Sequence, residues 1–190
     1  MNTEYELKLL LNEEEYTQCM SLLSPVSHHT IMQVNHYYDT KDQSFRNRGI
    51  TVRVREKNNR FYGTIKKHLT ANSRSEEYDF DLDVLPEKMI VEDSIVSRVG
   101  ILKTQRTEFC LSDTLTLALD RNFYLKTIDY ELELEFCELF EKEAEGILLF
   151  IKKLLKARDV SIPPHKSERF FALYNRKQQG LNLSSREYFK

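Results

Sequence analysis

Polar and apolar residues alternate along several segments of the chain, beginning near its first residue. In the stretch TEYELKLLL, residues 3–11, the charged Glu4, Glu6 and Lys8 alternate with one tyrosine and two leucines. Successive side chains of a strand point to opposite faces of a sheet, so this period of two predicts a strand with one ionic and one apolar face. Similar patterns predict further strands at residues 31–39, 50–57, 60–68, 73–83, 101–111, 114–125 and 128–139.

Helical signals occur between and after these strands. Asn12 can cap a helix whose first turn is acidic. Pro86 starts a second predicted helix, which runs to about Arg98 and is ended by Gly100. Amphipathic patterns predict two more helices near the end of the chain, at residues 141–159 and 165–180.

The order of these elements predicts the fold class. About eight mostly sequential strands with helices inserted between them indicate an α+β domain with a largely antiparallel sheet. Eight strands can also close into a barrel that holds side chains or one small ligand. No linker or internal repeat interrupts the 190 residues, so we expect a single domain over residues 1–190, with a loosely held tail at 181–190.

Charges of one sign recur at every second position on several strands. Arg53, Arg55 and Lys57 share one face of their strand, and acidic residues do the same at positions 77, 79 and 81 and at positions 131, 133 and 135. Such neighbours lie about 7 Å apart and repel by about 0.6 kcal/mol in water, or by about 2 kcal/mol at an effective dielectric constant of about 20. A solvated sheet face tolerates this repulsion, but such faces more often mix charges of both signs.

The recurrence on four strands therefore favours an inverted barrel over a solvated sheet. In such a barrel the charged faces point into a narrow lumen, where opposite charges or ligands must neutralise one another, and the apolar faces lie outside beneath helices. Arginines and lysines in a lumen suit the oxygens of a polyanion such as a phosphate chain. Clustered carboxylates suit a hard divalent cation such as Mg²⁺ or Mn²⁺. Together these residue types are typical of phosphoryl transfer.

Composition excludes several other classes of protein. The formal net charge of −2 provides no positive field for nucleic acid or an anionic membrane. The longest apolar stretch, GILLFIKKLL, is interrupted by two lysines and is too short to span a bilayer. Three cysteines far apart, without CxxC spacing, indicate a reducing compartment, so we expect a cytoplasmic protein. No glycine-rich phosphate motif occurs, which leaves the basic strands to hold any phosphate.

The ordered set of motifs resembles the CYTH domain family, the triphosphate tunnel metalloenzyme superfamily, and in particular its short, Bacillus-type bacterial members. Its hallmark ExExK matches Glu4, Glu6 and Lys8. The resemblance then continues through nearly the whole chain. The matching segments are HYYDT, RNRGITVRVRE, GTIKK, SRSEEYDFDL, KTQRTEF, DYELELEF and HKSERFF.

The resemblance implies an eight-stranded antiparallel closed β-barrel, a tunnel with a charged interior and helices packed outside. It also implies a divalent-metal-dependent hydrolase of small triphosphate compounds, and inorganic triphosphate is the preferred substrate because nothing in the sequence recognises a base. Two alternatives stay open. One is an adenylate cyclase or a thiamine or nucleoside triphosphatase on the same scaffold, and the other is a non-catalytic polyphosphate- or nucleotide-binding module.

The resemblance also implies roles for individual residues. The catalytic residues would be Glu4, Glu6, Lys8 and Lys66. Phosphates would be held by Lys8, Arg53, Arg55, Lys66, Arg106 and Lys166. Mg²⁺ or Mn²⁺ would be held by Glu4, Glu6, Glu77, Asp79, Glu133 and Glu135.

Two departures from the family pattern affect these assignments. The basic strand of the family often reads RxRxR, whereas the third position here is Lys57. The fifth strand has two glutamates in tandem, so either Glu77 and Asp79 or Arg74 and Glu76 would face inward.

Overall fold

The computed structural model describes residues 2–68, 74–156 and 163–180, and the side chains of residues 2–4 and 74 are not part of that description. The predicted tail at 181–190 and the last residues of the helix predicted at 141–159 lie outside these ranges. The strands are β1 (Asn2–Leu11), β2 (His28–Asp39), β3 (Ile50–Lys57), β4 (Arg60–His68), β5 (Arg74–Leu82), β6 (Lys88–Val91), β7 (Ser94–Ser112), β8 (Leu115–Tyr124) and β9 (Thr127–Phe136). The helices are α1 (Glu13–Leu23), α2 (Ser44–Asn47), α3 (Glu141–Leu155) and α4 (Lys166–Gln178).

Eight of the strands form one curled antiparallel sheet. Its neighbours follow the order β2-β3-β4-β5-β1-β9-β8-β7, and β2 also pairs with β7. The short β6 pairs with the first four residues of β7. At 19 residues, β7 is long enough to pair with β2, β6 and β8. The predicted α+β class and antiparallel sheet are confirmed.

The helix predicted between residues 86 and 98 is wrong, because this segment is a β-hairpin made of β6 and the start of β7. Its two-residue turn is formed by Glu92 and Asp93, whose φ angles are 47° and 60°. Turns with two positive φ angles match the twist of the strands that they join. Four β-branched residues beside the turn favour strands, and this preference outweighs the proline that suggested a helix start. They are Ile90, Val91, Ile95 and Val96.

Gly100 does not end a helix either, since it lies within β7. A Cβ atom at this position would come within 2.5 Å of the Phe170 ring of α4. Phe170 is fully buried and packs against Tyr37 of β2, with ring centroids 4.9 Å apart. The glycine therefore allows α4 to lie close against β7 and β2.

The apolar sides of β1, β8 and β9 pack beneath α1 and α3. This core includes Leu9, Leu11, Leu117, Leu132 and Leu134, none of which is more than 2% exposed. The start of α1 is fixed by a capping box between Asn12 and Glu15, as the sequence predicted for that cap. Because side chains alternate along each strand, the neighbouring polar residues point to the opposite, concave side of the sheet.

No helix within the described ranges is long and apolar enough to span a membrane.

Candidate active site

One cavity of about 580 Å³ lies on the concave side of the sheet. All eight strands of the curled sheet, together with the start of α4, contribute side chains to it. Among the described residues its lining contains seven lysines and arginines and seven aspartates and glutamates. The two kinds of charge therefore balance before any ligand binds.

Most residues predicted from the sequence lie in this cavity. Those that line it are Glu6, Lys8, Arg53, Arg55, Lys66, Glu77, Asp79, Arg106, Glu133, Glu135 and Lys166. The side chain of Glu4 lies outside the described residues. Its backbone belongs to β1, two residues before Glu6.

The sequence left open which residues of β5 face the cavity, and the residues that line it decide the question. Glu77 and Asp79 reach the cavity. Glu77 lies directly opposite Lys66 of β4 in the register, and its Oε1 is 2.8 Å from the Lys66 ammonium. Asp79 accepts a hydrogen bond of 2.8 Å from Thr64. Glu76 therefore belongs to the other face of β5.

Lys8 and Glu133 form the centre of a network of ion pairs. They face each other across β1 and β9, with Lys8 Nζ 3.2 Å from Glu133 Oε1 and 2.8 Å from Glu6 Oε1. Burial would lower the pKa of Lys8, but Glu133 and Glu6 outweigh it and raise that pKa above its ordinary value. Lys8 is therefore positively charged in the folded protein.

Glu133 also contacts two further cations, Arg106 and Lys166. Lys166 Nζ lies 2.7 Å from Glu133 Oε1, and Arg106 donates to Glu133 Oε2. Burial would raise the pKa of Glu133, but Lys166, Lys8 and Arg106 together hold it well below its ordinary value. This carboxylate thus joins side chains from β1, β7, β9 and α4.

Asp120 is a site residue that sequence reasoning missed. It is fully buried and accepts two hydrogen bonds from Arg106, of 2.9 and 2.8 Å, while its Oδ2 lies 2.7 Å from Lys166 Nζ. The alternation of β8 offered a signal, because Asp120 falls on the face opposite Leu117 and Leu119. We call Glu6, Lys8, Arg106, Asp120, Glu133 and Lys166 the paired wall.

A second surface of the cavity, on β3, carries Arg53, Arg55 and Lys57, and we call it the basic wall. Arg55 Nε donates a hydrogen bond of 3.1 Å to Asn35 of β2. Within the described parts of the chain, no carboxylate lies within 4 Å of the Arg55 guanidinium, and the nearest approach of Arg53 to a carboxylate is 3.9 Å. Burial and the charges of Arg53 and Arg106 lower the pKa of Arg55 to about 10.

Neutral polar side chains complete the lining between the two walls. Gln33, Asn35 and Thr104 are at most 3% exposed, and all of them reach the cavity. Their positions alternate with outward residues of β2 and β7, but amides and hydroxyls on strands are common on solvated faces as well. The sequence alone therefore did not identify them.

Two stacked histidines lie where α4 begins. The rings of His68 and His165 have centroids 3.9 Å apart, and Thr51 lies 3.2 Å from His68 Nε2. Burial, the neighbouring His165 and the Lys66 ammonium lower the pKa of His68 to about 3. The His68 ring is therefore neutral at physiological pH.

The carboxylates of the cavity have the donor chemistry that a hard divalent cation prefers. Across residues 2–68, 74–156 and 163–180, no three His, Cys, Asp or Glu side chains form a group that could hold a metal ion as they stand. Glu6, Glu77 and Glu133 lie instead against lysine ammonium groups. The donor set fits Mg²⁺ or Mn²⁺, provided that these carboxylates exchange an ammonium partner for the metal.

Comparisons with known proteins agree with this architecture. The YjbK protein of Bacillus subtilis (strain 168), a candidate triphosphatase, is 26% identical over 193 residues, which cover 94% of this chain and 97% of YjbK. The crystal structure of a candidate adenylate cyclase from Bacillus halodurans matches with a TM-score of 0.72 and 25% identity, over 90% of this chain and all of that one.

A third similar structure is HpAC1 from Hippeastrum, for which a dominant triphosphatase activity is described. It matches with a TM-score of 0.66 and 20% identity, covering 96% of this chain and 98% of HpAC1. The family model of the CYTH domain matches residues 2–161. The chain therefore belongs to the CYTH domain family.

Proposed function

We propose that this protein is a divalent-metal-dependent hydrolase of triphosphate compounds, with inorganic triphosphate as its preferred substrate. The observation that carries the proposal is the cavity itself, which holds seven cationic and seven carboxylate side chains within about 580 Å³. A bound triphosphate needs cations for its oxygens, and the metal that accompanies it needs carboxylates. In this proposal the eight strands enclose the charged cavity as a tunnel.

The basic wall would bind the phosphate chain first. Arg55 and Arg53 are half-buried; no described carboxylate lies within 4 Å of the Arg55 guanidinium, and the nearest one to Arg53 is 3.9 Å away. Planar guanidiniums bind phosphate oxygens through paired hydrogen bonds. Lys66, Lys8 and Lys166 would then exchange their carboxylate partners for phosphate oxygens. The phosphate chain would thereby be held in a fixed orientation, which favours attack by water on its terminal phosphorus.

When the lysines move to phosphate oxygens, their former carboxylate partners would become available to bind a metal ion. Glu6, Glu77, Asp79, Glu133 and Glu135 would hold Mg²⁺ or Mn²⁺ once their cations move to phosphate, and Glu4 is proposed to join them. A bound divalent ion would neutralise the charge that develops on the phosphate oxygens during hydrolysis, and it would lower the pKa of a bound water molecule. A carboxylate of the paired wall would orient that water in line with the bond that breaks.

The packing of two adjacent tyrosines of β2, Tyr37 and Tyr38, favours an inorganic substrate, although Tyr62 of β4 also lines the cavity and is only half-buried. Tyr37 is 2% exposed and packs against Phe170 and Phe171. Tyr38 is 1% exposed, and its hydroxyl donates to the Pro86 carbonyl oxygen. Neither ring offers a free face on which a base could stack. YjbK is described as a candidate triphosphatase, and a dominant triphosphatase activity is described for HpAC1, although HpAC1 and the Bacillus halodurans protein are both named candidate adenylate cyclases.

A substrate panel tests the proposal directly. Phosphate release would be measured from tripolyphosphate, ATP and thiamine triphosphate, each with Mg²⁺, with Mn²⁺ and with EDTA. We expect metal-dependent release that is fastest from tripolyphosphate. Lys66→Gln should reduce it by about tenfold or more, since a charged hydrogen-bond partner of the substrate is lost. Lys67→Gln is the matched control, because Lys67 is the next residue of β4 and lies outside the cavity.

The other outcomes identify the alternatives. Faster turnover of ATP or thiamine triphosphate than of tripolyphosphate would indicate an organic triphosphatase, and formation of cyclic AMP would indicate a cyclase. Tight binding of tripolyphosphate without turnover in either metal would indicate a binding module. Equal loss in the Lys66 and Lys67 variants would argue against this cavity as the site.

A further inference from the structure

Arg169 of α4 is almost completely buried but does not line the cavity. Its Nε lies 2.9 Å from Asp129 Oδ2, and its Nη2 lies 2.9 Å from Glu131 Oε2. Its Nη1 donates a hydrogen bond of 2.7 Å to the carbonyl oxygen of Pro164, just before the helix. The guanidinium thus connects two carboxylates of β9 to the start of α4.

Glu131 is shared between Arg169 and Lys166. Its Oε2 atom lies 2.9 Å from Arg169 Nη2 and 3.1 Å from Lys166 Nζ. The two cations are three residues apart on α4 and therefore lie on one face of the helix. Glu131 is fully buried, so its charge must be matched by neighbouring cations.

Asp129, the other carboxylate partner of Arg169, also accepts hydrogen bonds from two residues of β8. Tyr124 donates to it at 2.6 Å and Asn122 at 2.9 Å. Asn122 in turn accepts a hydrogen bond of 2.7 Å from Thr104, which lines the cavity. The Arg169 guanidinium is therefore fixed on the sheet side as well as on the helix side.

We infer that Arg169 is a positioning residue for Lys166. By neutralising Glu131 and Asp129, it leaves the Lys166 ammonium on the cavity side, where it lies 2.7 Å from both Asp120 and Glu133. Without Arg169, the buried Glu131 and the half-buried Asp129 of β9 would compete for the Lys166 ammonium and draw it away from the cavity. The inference rests on the proposed function only in that Lys166 binds phosphate.

The position of Lys166 can be tested without substrate. The ammonium signal of Lys166 would be followed by ¹H–¹⁵N NMR in wild-type protein, in Arg169→Gln and in the control Lys177→Gln. Lys177 is an exposed residue at the other end of α4, where it donates to the Leu125 carbonyl oxygen. We expect Arg169→Gln to shift or broaden the Lys166 signal and Lys177→Gln to leave it in place. An unchanged signal in folded Arg169→Gln would overturn the inference.

A double-mutant cycle tests the consequence for binding. The affinity for tripolyphosphate would be measured by calorimetry in EDTA for Arg169→Gln, Lys166→Gln and the double variant. Each single variant should bind at least about tenfold more weakly, and the double variant should be no weaker than Lys166→Gln. Additive losses would show that Arg169 acts independently of Lys166, and unchanged affinity in Arg169→Gln would show a role in stability alone.

A second substitution covers the case in which Arg169→Gln does not fold. Arg169→Lys keeps the charge but cannot bind two carboxylates and a carbonyl group at once. We expect intermediate affinity and a shifted Lys166 signal, whereas wild-type behaviour in both would contradict the inference. If the wild-type protein binds tripolyphosphate neither in EDTA nor with Mg²⁺ or Mn²⁺, the proposed function fails, and the Lys166 signal still decides the role of Arg169.

Discussion

The paired wall and the basic wall line the same cavity but differ in how closely their cations lie to carboxylates. On the paired wall each cation has at least two carboxylates nearby, and Lys166 has three within 3.1 Å. On the basic wall the nearest ion pair, between Arg53 and Glu77, is 3.9 Å long. The pKa values follow this difference, because that of Lys166 is raised by its acidic partners while that of Arg55 falls to about 10.

This difference separates cations that have close carboxylate partners in the unliganded protein from cations that lack them. Removing one member of a buried ion pair leaves its partner uncompensated and destabilises the protein strongly. Removing Arg55, whose pKa is lowered by burial and by the charges of Arg53 and Arg106, relieves desolvation and repulsion. The basic wall is therefore expected to reduce the stability of the unliganded protein, and a polyanion would supply the missing countercharge.

The largest expected effect compares one arginine from each wall. Arg106→Gln should lower the free energy of unfolding by about 3–5 kcal/mol, because Asp120 and Glu133 lose a buried partner. Arg55→Gln should leave the unfolding free energy unchanged or raise it, while weakening tripolyphosphate binding. Urea denaturation of both variants measures this difference. Equal destabilisation would remove the distinction between the walls.

The next effect concerns turnover on the paired wall. Glu6→Gln should reduce metal-dependent phosphate release by about 10²–10³-fold, the range for loss of a preorganised charged group in an active site. The fold should survive, because Lys8 keeps Glu133 and Lys66 keeps Glu77 as partners.

Glu14→Gln is the matched control for Glu6, because Glu14 is exposed on α1. Near-normal activity of folded Glu6→Gln would remove Glu6 from the proposed metal site.

A smaller effect is the pH dependence of stability that arises at His68, which lies near cations of both walls. Its pKa falls from 6.5 to about 3 on folding, so protonation favours the unfolded chain. Its contribution to stability is complete above about pH 6.5 and is lost as the pH falls toward 3, by at most about 1.4 kcal/mol per pH unit.

The role of His68 can be isolated by substitution. His68→Asn should flatten the loss of unfolding free energy between pH 6.5 and 5, as measured by urea denaturation at each pH. The exposed His29 provides the control substitution, His29→Asn, because its ring lies far out on β2 and is 63% exposed. An unchanged pH slope in His68→Asn would assign the acid sensitivity to other groups.

The smallest expected effect concerns Lys57, the third position of the basic wall. Lys57→Arg restores the family pattern and adds a planar group that can bind phosphate through two hydrogen bonds. Affinity for tripolyphosphate should rise by less than about tenfold, or about 1.4 kcal/mol. Lys103→Arg on the exposed side of β7 is the control. Equal affinity of Lys57→Arg and Lys103→Arg would mean that position 57 does not contact the phosphate chain.

Much of the site could be predicted from the sequence because side-chain parity on a strand is a local property. The period of two in β1, β3 and β9 was enough to group Glu6, Arg55 and Glu133 on one kind of face. Alternation alone could not decide which face of β5 points into the cavity, because two glutamates occur in tandem there. That choice depends on pairing with β4, which puts Glu77 opposite Lys66.

Other features depend on tertiary contacts that leave little local signal. Lys166 was expected in the cavity only through the family resemblance, since a lysine at a helix start is usually solvated. Asp120 and Arg169 belong to no alternating run of like charges, and their importance follows from partners distant in sequence. The hairpin at residues 88–98 was missed because Pro86 gave a helix signal that tertiary packing of β6 and β7 overrides.

The order of elements along the chain has a consequence for synthesis. The strands that carry Asp120, Glu131 and Glu133 are made before α4, which supplies the cations Lys166 and Arg169. A nascent chain that has emerged only through β9 would have to bury three carboxylates without those two partners. Folding of the acidic strands and completion of the charged cavity should therefore occur together, only after α4 has been made, so that chains lacking α4 leave the cavity incomplete.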